Sequence, residues 1–236
     1  MKSPGLENQN IVEDVVSGIV EAILGGLPAV KERFLWEFGH ELPEFAGKMA
    51  EAYLLWKEFD QNPTKDERKA HISAFIFRAM NYHVQALHLF LIGLPIPSGH
   101  MERQVLESIA MAFLCSDRTL DFADRYIAGK FGTNRAVDAL VKHQARLQLE
   151  KNSVLMLKEV HSLYDKVSHP TLLNLGFNVT IGVNGPSSCF GPAFDEGKIG
   201  LYRVEMNRLC SLAVTFPNFI QGVERNWVAP SNTSKR

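Results

Sequence analysis

Three residues capable of chemistry recur at four-residue intervals in the stretch HSLYDKVSHP: His161, Asp165 and His169. Imidazole and carboxylate groups at that spacing could hold a metal, move protons, or merely edge a helix. Positions four apart on an α-helix lie about 6 Å apart on one face, and each such step drifts roughly 40° around the axis. His161 and His169 would then be about 12 Å apart and roughly 80° out of line. A zinc ion needs each ligand within about 2 Å, so the three do not easily share one ion, and a two-ligand clip of His161 with Asp165 or Asp165 with His169 needs ligands from elsewhere. No His-Glu-x-x-His or Asp-rich calcium loop supplies further ligands. We therefore expect no metal and no cofactor. Pro170 adds a second constraint, because the residue before a proline is driven out of helical geometry. His169 should end its helix, where an imidazole can bond the terminal carbonyls. His161 and Asp165 read as an edge stripe.

Two further polar sets lie on otherwise apolar segments. In FRAMNYHVQALH, Arg78, Asn81, Gln85 and His88 form one stripe at helical spacing, expected to face water on a packed helix. In ERQVLESIAMAFL, Arg103 and Glu107 stand four apart, which permits an ion pair within the helix. Glu107 adjoins the apolar run Ile109–Leu114, so it should be partly buried and paired, with Arg103 or with Arg78 from another helix.

Arg103 and Glu107 on one helix, followed by Tyr164, Ser168, His169 and Pro170 in YDKVSHP, resemble a pattern in uncharacterised bacterial helical families. In those families an Arg-x-x-x-Glu helix precedes a Tyr-x-x-x-Ser helix that ends in His-Pro, and the likeness spans roughly residues 70–175. The resemblance implies that Arg103, Glu107, Tyr164, Ser168 and His169 converge, either to bind a small polar ligand or to specify packing. Arg78 and His83 form Arg-x-x-x-x-His, a spacing similar to the signature of HEPN ribonucleases. That second resemblance implies a metal-independent RNA-cleaving pair at a dimer interface. An offset of five sets the two side chains about 140° apart on a straight helix, and Ala79 stands where a polar residue often follows the motif arginine. A third reading makes His169 the general base of a hydrolase, with Glu107 or Asp165 beside it.

Composition bounds these alternatives. With 236 residues, 46% of them hydrophobic and 22% charged, the chain can bury a substantial core. A formal net charge of -1 gives no global attraction to nucleic acid or anionic lipid. The basic run from Lys130 to Lys158 reads as a solvated helix face rather than a phosphate track. Three scattered cysteines without a Cys-x-x-Cys suit a reducing cytoplasm. The polar start carries no signal-peptide pattern. The most apolar stretch, Ile72–Leu94, is interrupted by Arg78, Asn81, His83, Gln85 and His88, which argues against a membrane span.

The elements that must position these groups are mostly helices. Apolar spacing and breakers predict them at 11–25, 28–39, 43–59, 65–91, 100–115, 118–129, 134–150 and 153–168, and again at 201–227 with a kink or division at Pro217. Between the last two, FNVTIGV alternates as a strand does and is followed by a Gly/Pro-rich loop. The expected fold is mainly α, a multi-helix bundle with a short β-hairpin-like insert near 176–200. One helical domain, 11–229, lies between a flexible N-terminus, 1–10, and a flexible tail, 230–236. The expected function is a cytoplasmic binding or interaction module, compatible with a homo-oligomer. The alternative is a HEPN-like ribonuclease, with RNA as a partner under that reading alone.

Overall fold

The computed structural model describes residues 27–61, 66–169, 179–182, 185–188 and 191–229, with residues 16, 17, 19, 20 and 24 before them. Side chains at 167, 168 and 179–188 are not among those described, and the expected flexible ends and most of the first expected helix also lie outside. The helices are α1 (Pro28–Phe38), α2 (Leu42–Phe59), α3 (Glu67–Leu91), α4 (Pro95–Ser116), α5 (Phe122–Ile127), α6 (Ala136–His143), α7 (Lys151–Ser168) and α8 (Ile199–Val228). Short 3-10 turns precede α2, α6 and α8, at Gly39–Glu41, Thr133–Arg135 and Glu196–Lys198.

Local chemistry explains several boundaries. Asp66 accepts from the Lys69 amide at the start of α3, and Glu150 accepts from the Asn152 and Ser153 amides at the start of α7. At the end of α3, Gly93 takes φ +83°, and the Leu94 amide bonds back to the Leu89 carbonyl at 2.9 Å. A Cβ on Gly93 would stand 2.6 Å from Val30 Cγ1, so no other residue fits this turn without movement. The turn folds α4 back onto α3, and these two helices form the most extensive packing in the molecule.

Helix α4 is the centre of the bundle. It packs against α3, α6, α7 and α8, and every residue from Val105 to Ser116 is buried. A helix apolar on nearly all sides is stable only when enclosed in this way. The core continues through Phe34, Phe38, Phe90, Met206, Leu209 and Phe216, with the Phe34 and Phe90 rings edge to face at 5.2 Å. Arg68, in the first turn of α3, closes the far end of α4. Its guanidinium donates to the Cys115, Asp117 and Leu120 carbonyls at 2.8, 2.7 and 2.9 Å. Arg68→Met leaves those carbonyls without this donor and is expected to cost about 2 kcal/mol in urea denaturation.

The described residues are helical in class, as the sequence led us to expect, but four details differ. The helix expected over 134–150 ends at His143, and turns at 144–148 separate it from α7, with Gln148 at φ +54°. Helix α4 begins at Pro95, not near His100, because a proline in the first helical turn forfeits only an amide that the helix leaves unbonded anyway. Helix α8 runs undivided through Pro217. Pro217 is buried beside Phe216, Phe219 and Ile220, and that packing holds the helix together across the missing hydrogen bond. The β-hairpin-like insert over 176–200 is not supported as a unit. Among its described residues, Val179–Gly182 and Gly185–Ser188 pair antiparallel, while Asp195 accepts from the Gly197 amide and starts helical structure at 196–200. Among the described residues no helix is long and apolar enough to cross a membrane.

Candidate functional site

Arg103 and Glu107 lie one turn apart on α4, on the side that meets α7. Arg103 Nε donates to Glu107 Oε1 at 3.2 Å, and its Nη1 lies 3.2 Å from Asp165 Oδ1 on α7. Thr133, in the turn before α6, donates to Glu107 Oε2 at 3.0 Å. His161 Nε2 reaches Glu107 Oε1 at a longer 3.4 Å. One carboxylate, itself 7% exposed, thus joins α4, α7 and the turn before α6. Burial pushes the Glu107 carboxyl up, but hydrogen bonds from His161 and Thr133 and the charges of Arg103 and His161 outweigh it, so the net shift is downward.

This cluster overlaps the expected one without matching it. Arg103 and Glu107 meet. Tyr164 does not join them, because on α7 it sits about 100° around the axis from Asp165. His169 is the extended residue that ends α7, as Pro170 requires. Its side chain is 63% exposed and stands 3.7 Å from Asp165, while the imidazole on Glu107 belongs to His161. The Ser168 side chain lies outside the described residues. The stripe reading of His161 and Asp165 therefore needs correcting: α7 turns that edge toward α4 rather than toward solvent alone.

A second polar group lies deeper, where α3, α4, α7 and α8 meet. The Tyr164 hydroxyl donates to Glu205 Oε1 at 2.8 Å, and Arg208 Nη1 donates to Glu205 Oε2 at 3.2 Å. Burial raises Tyr164 well above the usual phenol range, and Glu205 and Glu102 add to that, so its proton stays on the oxygen. Burial also raises Glu205; the Tyr164 and Arg208 hydrogen bonds oppose this without reversing it, and Glu102 adds to the rise. Beside them His83 Nδ1 stands 2.6 Å from Glu102 Oε1, and His83 Nε2 donates to the Leu209 carbonyl at 3.0 Å. The imidazole lies between the Phe45 and Phe216 rings, with centroids 5.0 and 5.2 Å away.

The candidates for RNA cleavage are not brought together within the chain. His83 has no solvent exposure, and both its ring nitrogens hold partners. Arg78 points to a different neighbourhood, donating to Gln104 Oε1 and covering the Tyr82 ring at 5.0 Å. Asn81, Gln85 and His88 are exposed, so the expected wet stripe is there, with Arg78 half-buried at its start. Glu107 takes its guanidinium from Arg103, and Arg78 goes to Gln104 instead.

Two thiols lie among the described residues, and both are held in the neutral form. Burial pushes the Cys115 thiol up to about 12 and the Cys210 thiol up to about 11, with Glu41 and Glu44 adding to the latter. Among the described residues no group of three His, Cys, Asp or Glu side chains could hold a metal ion.

Fold and site together define a mainly helical, multi-helix bundle with two internal polar clusters, one around Glu107 and one around His83, Glu102, Tyr164 and Glu205. No family model, curated protein or solved structure matches the chain.

Proposed function

We propose that this chain is a helical binding module for a small polar ligand, with the Glu107 cluster as the frame of its binding face. The observation that carries this reading is how the polar groups are engaged. Both Glu107 oxygens, both Glu205 oxygens, the Tyr164 hydroxyl and both His83 ring nitrogens already hold protein partners. Groups so engaged are held in fixed geometry by the fold. Toward solvent the Glu107 cluster ends in Asp165, whose side chain is 44% exposed, and in His169. Polar groups held in place at a surface suit recognition, because little freedom is lost when a ligand arrives.

RNA cleavage by Arg78 and His83 is the competing reading. It would require His83 to leave a sealed position between two phenylalanine rings, and the buried setting favours binding over that chemistry. The experiment is paired. The intact chain is assayed for cleavage of a fluorescent single-stranded RNA, and its amide spectrum is followed while small polar probes (glycine, succinate, phenyl phosphate) are added. Expected are no cleavage above the His83→Gln variant and saturable amide shifts with at least one probe. Cleavage lost on His83→Gln while the fold is retained would replace the binding reading with the nuclease one.

A further inference from the structure

The basic run from Lys130 to Lys158 borders a cleft at its N-terminal end. Its first part, together with α5, surrounds a surface cleft of about 370 Å³. Phe122 and Arg125 line it from α5, Phe131 and Arg135 from the connection that follows, and Ala139, Lys142 and His143 from α6. The Phe122 and Phe131 rings meet edge to face at 4.9 Å and form an apolar wall. Both arginines sit over that wall: Arg125 lies 5.4 Å from the Phe122 centroid and 5.3 Å from Phe131, and Arg135 lies 5.3 Å from Phe131. A guanidinium with its face on a ring keeps its N–H edge for oxygen atoms, and the ring limits the side-chain freedom that binding would otherwise remove.

The charges in this cleft are not balanced from within. Two guanidinium groups share one phenylalanine, and Lys142 stands in the same lining. The lining carboxylate, Asp138, is already 3.0 Å from Lys158. Asp121 lies 3.6 Å from Arg125. Among the described residues neither Arg135 nor Lys142 has a carboxylate within ion-pair distance. In a chain of net charge -1 this is a local excess of positive charge, and like charges gathered against an apolar wall are relieved by an anion between them.

We propose that the cleft binds a small phosphomonoester, its phosphate held by Arg125, Arg135 and Lys142 and its organic part against Phe122 and Ala139. A phosphate monoester carries about -1.5 to -2 charges near neutral pH and three acceptor oxygens, which suits two forked donors and one ammonium. The cleft volume is in the range of small-molecule sites, about 300–1,000 Å³, and leaves room for more than a bare ion. The Glu107 cluster supports this placement, because the Thr133 hydroxyl bonded to Glu107 belongs to the same 3-10 turn as Arg135. The inference goes beyond the Glu107 face, none of whose outer groups line this cleft, and adds a separate site for an anionic ligand.

The test is a low-salt amide-shift titration of the intact chain with phenyl phosphate, inorganic phosphate and benzyl alcohol. Expected are saturable shifts within 122–143 for phenyl phosphate, weaker binding of inorganic phosphate at the same residues, and none for benzyl alcohol. Arg135→Gln and Lys142→Gln, both at exposed side chains, should each weaken phenyl phosphate roughly tenfold, whereas Lys48→Gln should not. Equal affinity for inorganic phosphate would make this a free-anion site and overturn the ester. Undiminished binding in the Arg135→Gln/Lys142→Gln double variant would overturn the cleft. Shifts confined to Arg103, Asp165 and His169 would overturn this inference while leaving the binding module standing. Silence from every polar probe would overturn both.

Discussion

Glu102→Ala is expected to destabilise the chain by about 3–5 kcal/mol, read as a lowered urea midpoint with an unchanged slope. His83 and Glu102 are 0% and 2% exposed, so neither can turn to water when its partner is removed. The Leu209 carbonyl can only accept, which places a proton on His83 Nε2. At Nδ1 the ring faces a carboxyl oxygen 2.6 Å away, and one proton must lie between the two. It belongs either to an imidazolium beside a carboxylate or to a carboxylic acid beside a neutral ring; both arrangements need Glu102. Alanine there leaves Nδ1 facing nothing polar and opens a cavity next to the ring. Glu102→Gln, which can donate or accept at Nδ1, should recover more than half of the loss. A Glu102→Ala loss under about 1 kcal/mol would mean that the pair is open to water in solution.

Glu107→Ala is expected to cost about 2–3 kcal/mol, less than Glu102→Ala because Arg103 is partly exposed and can regain water. Its signature is the dependence on pH. Folding lowers the Glu107 carboxyl below its ordinary 4.5, so in acid the unfolded chain binds more protons than the folded one. The stabilisation is therefore fully present above the unfolded value and is lost as pH falls through the folded one. Glu205 acts in the opposite sense. Its folded value is raised, so its contribution is full below the unfolded value and is lost as pH rises through the folded one. Denaturation of wild type and Glu107→Gln across pH 3–7 (an experimental range about the ordinary carboxylate value) should give curves that converge in acid and separate toward neutrality. Parallel curves would mean that Glu107 is not held by its neighbours.

Helical class and several boundaries could be read from the sequence because they depend on local chemistry: apolar spacing, prolines at first turns such as Pro28 and Pro43, and the acid-containing start at Asp66; Glu150, which reads as the end of one helix, instead caps the start of the next. The pairing of Arg103 with Glu107 was legible for the same reason, being a contact one turn apart on a single helix. The buried set was only half legible. His83 shares the spacing of Ile76, Ala79, Met80, Ala86, Leu87 and Phe90, all of them core residues, and that spacing alone says that the imidazole is inside and needs a partner. Which partner it takes depends on how α3 meets α4 and α8, and no local pattern encodes that. Glu102, Thr133, Glu205 and Arg208 were missed on those grounds. The convergence of Tyr164 with Arg103 and Glu107 that the motif implies gives way to a bond with Glu205, because a motif in one dimension does not record the 100° between neighbouring positions. The cleft beside α6 escaped notice because its aromatic wall is assembled across a turn, with Phe122 on one side of it and the cations on both.

The α4–α7 face depends on Glu107 being shared by both helices, and a double-mutant cycle of Glu107→Gln and His161→Gln at pH 6, measured by urea denaturation, reads that sharing directly. A coupling energy of about 1 kcal/mol or more is the expected result for groups in one network. Additivity to within about 0.3 kcal/mol would contradict it and would remove the frame on which the proposed binding face is built.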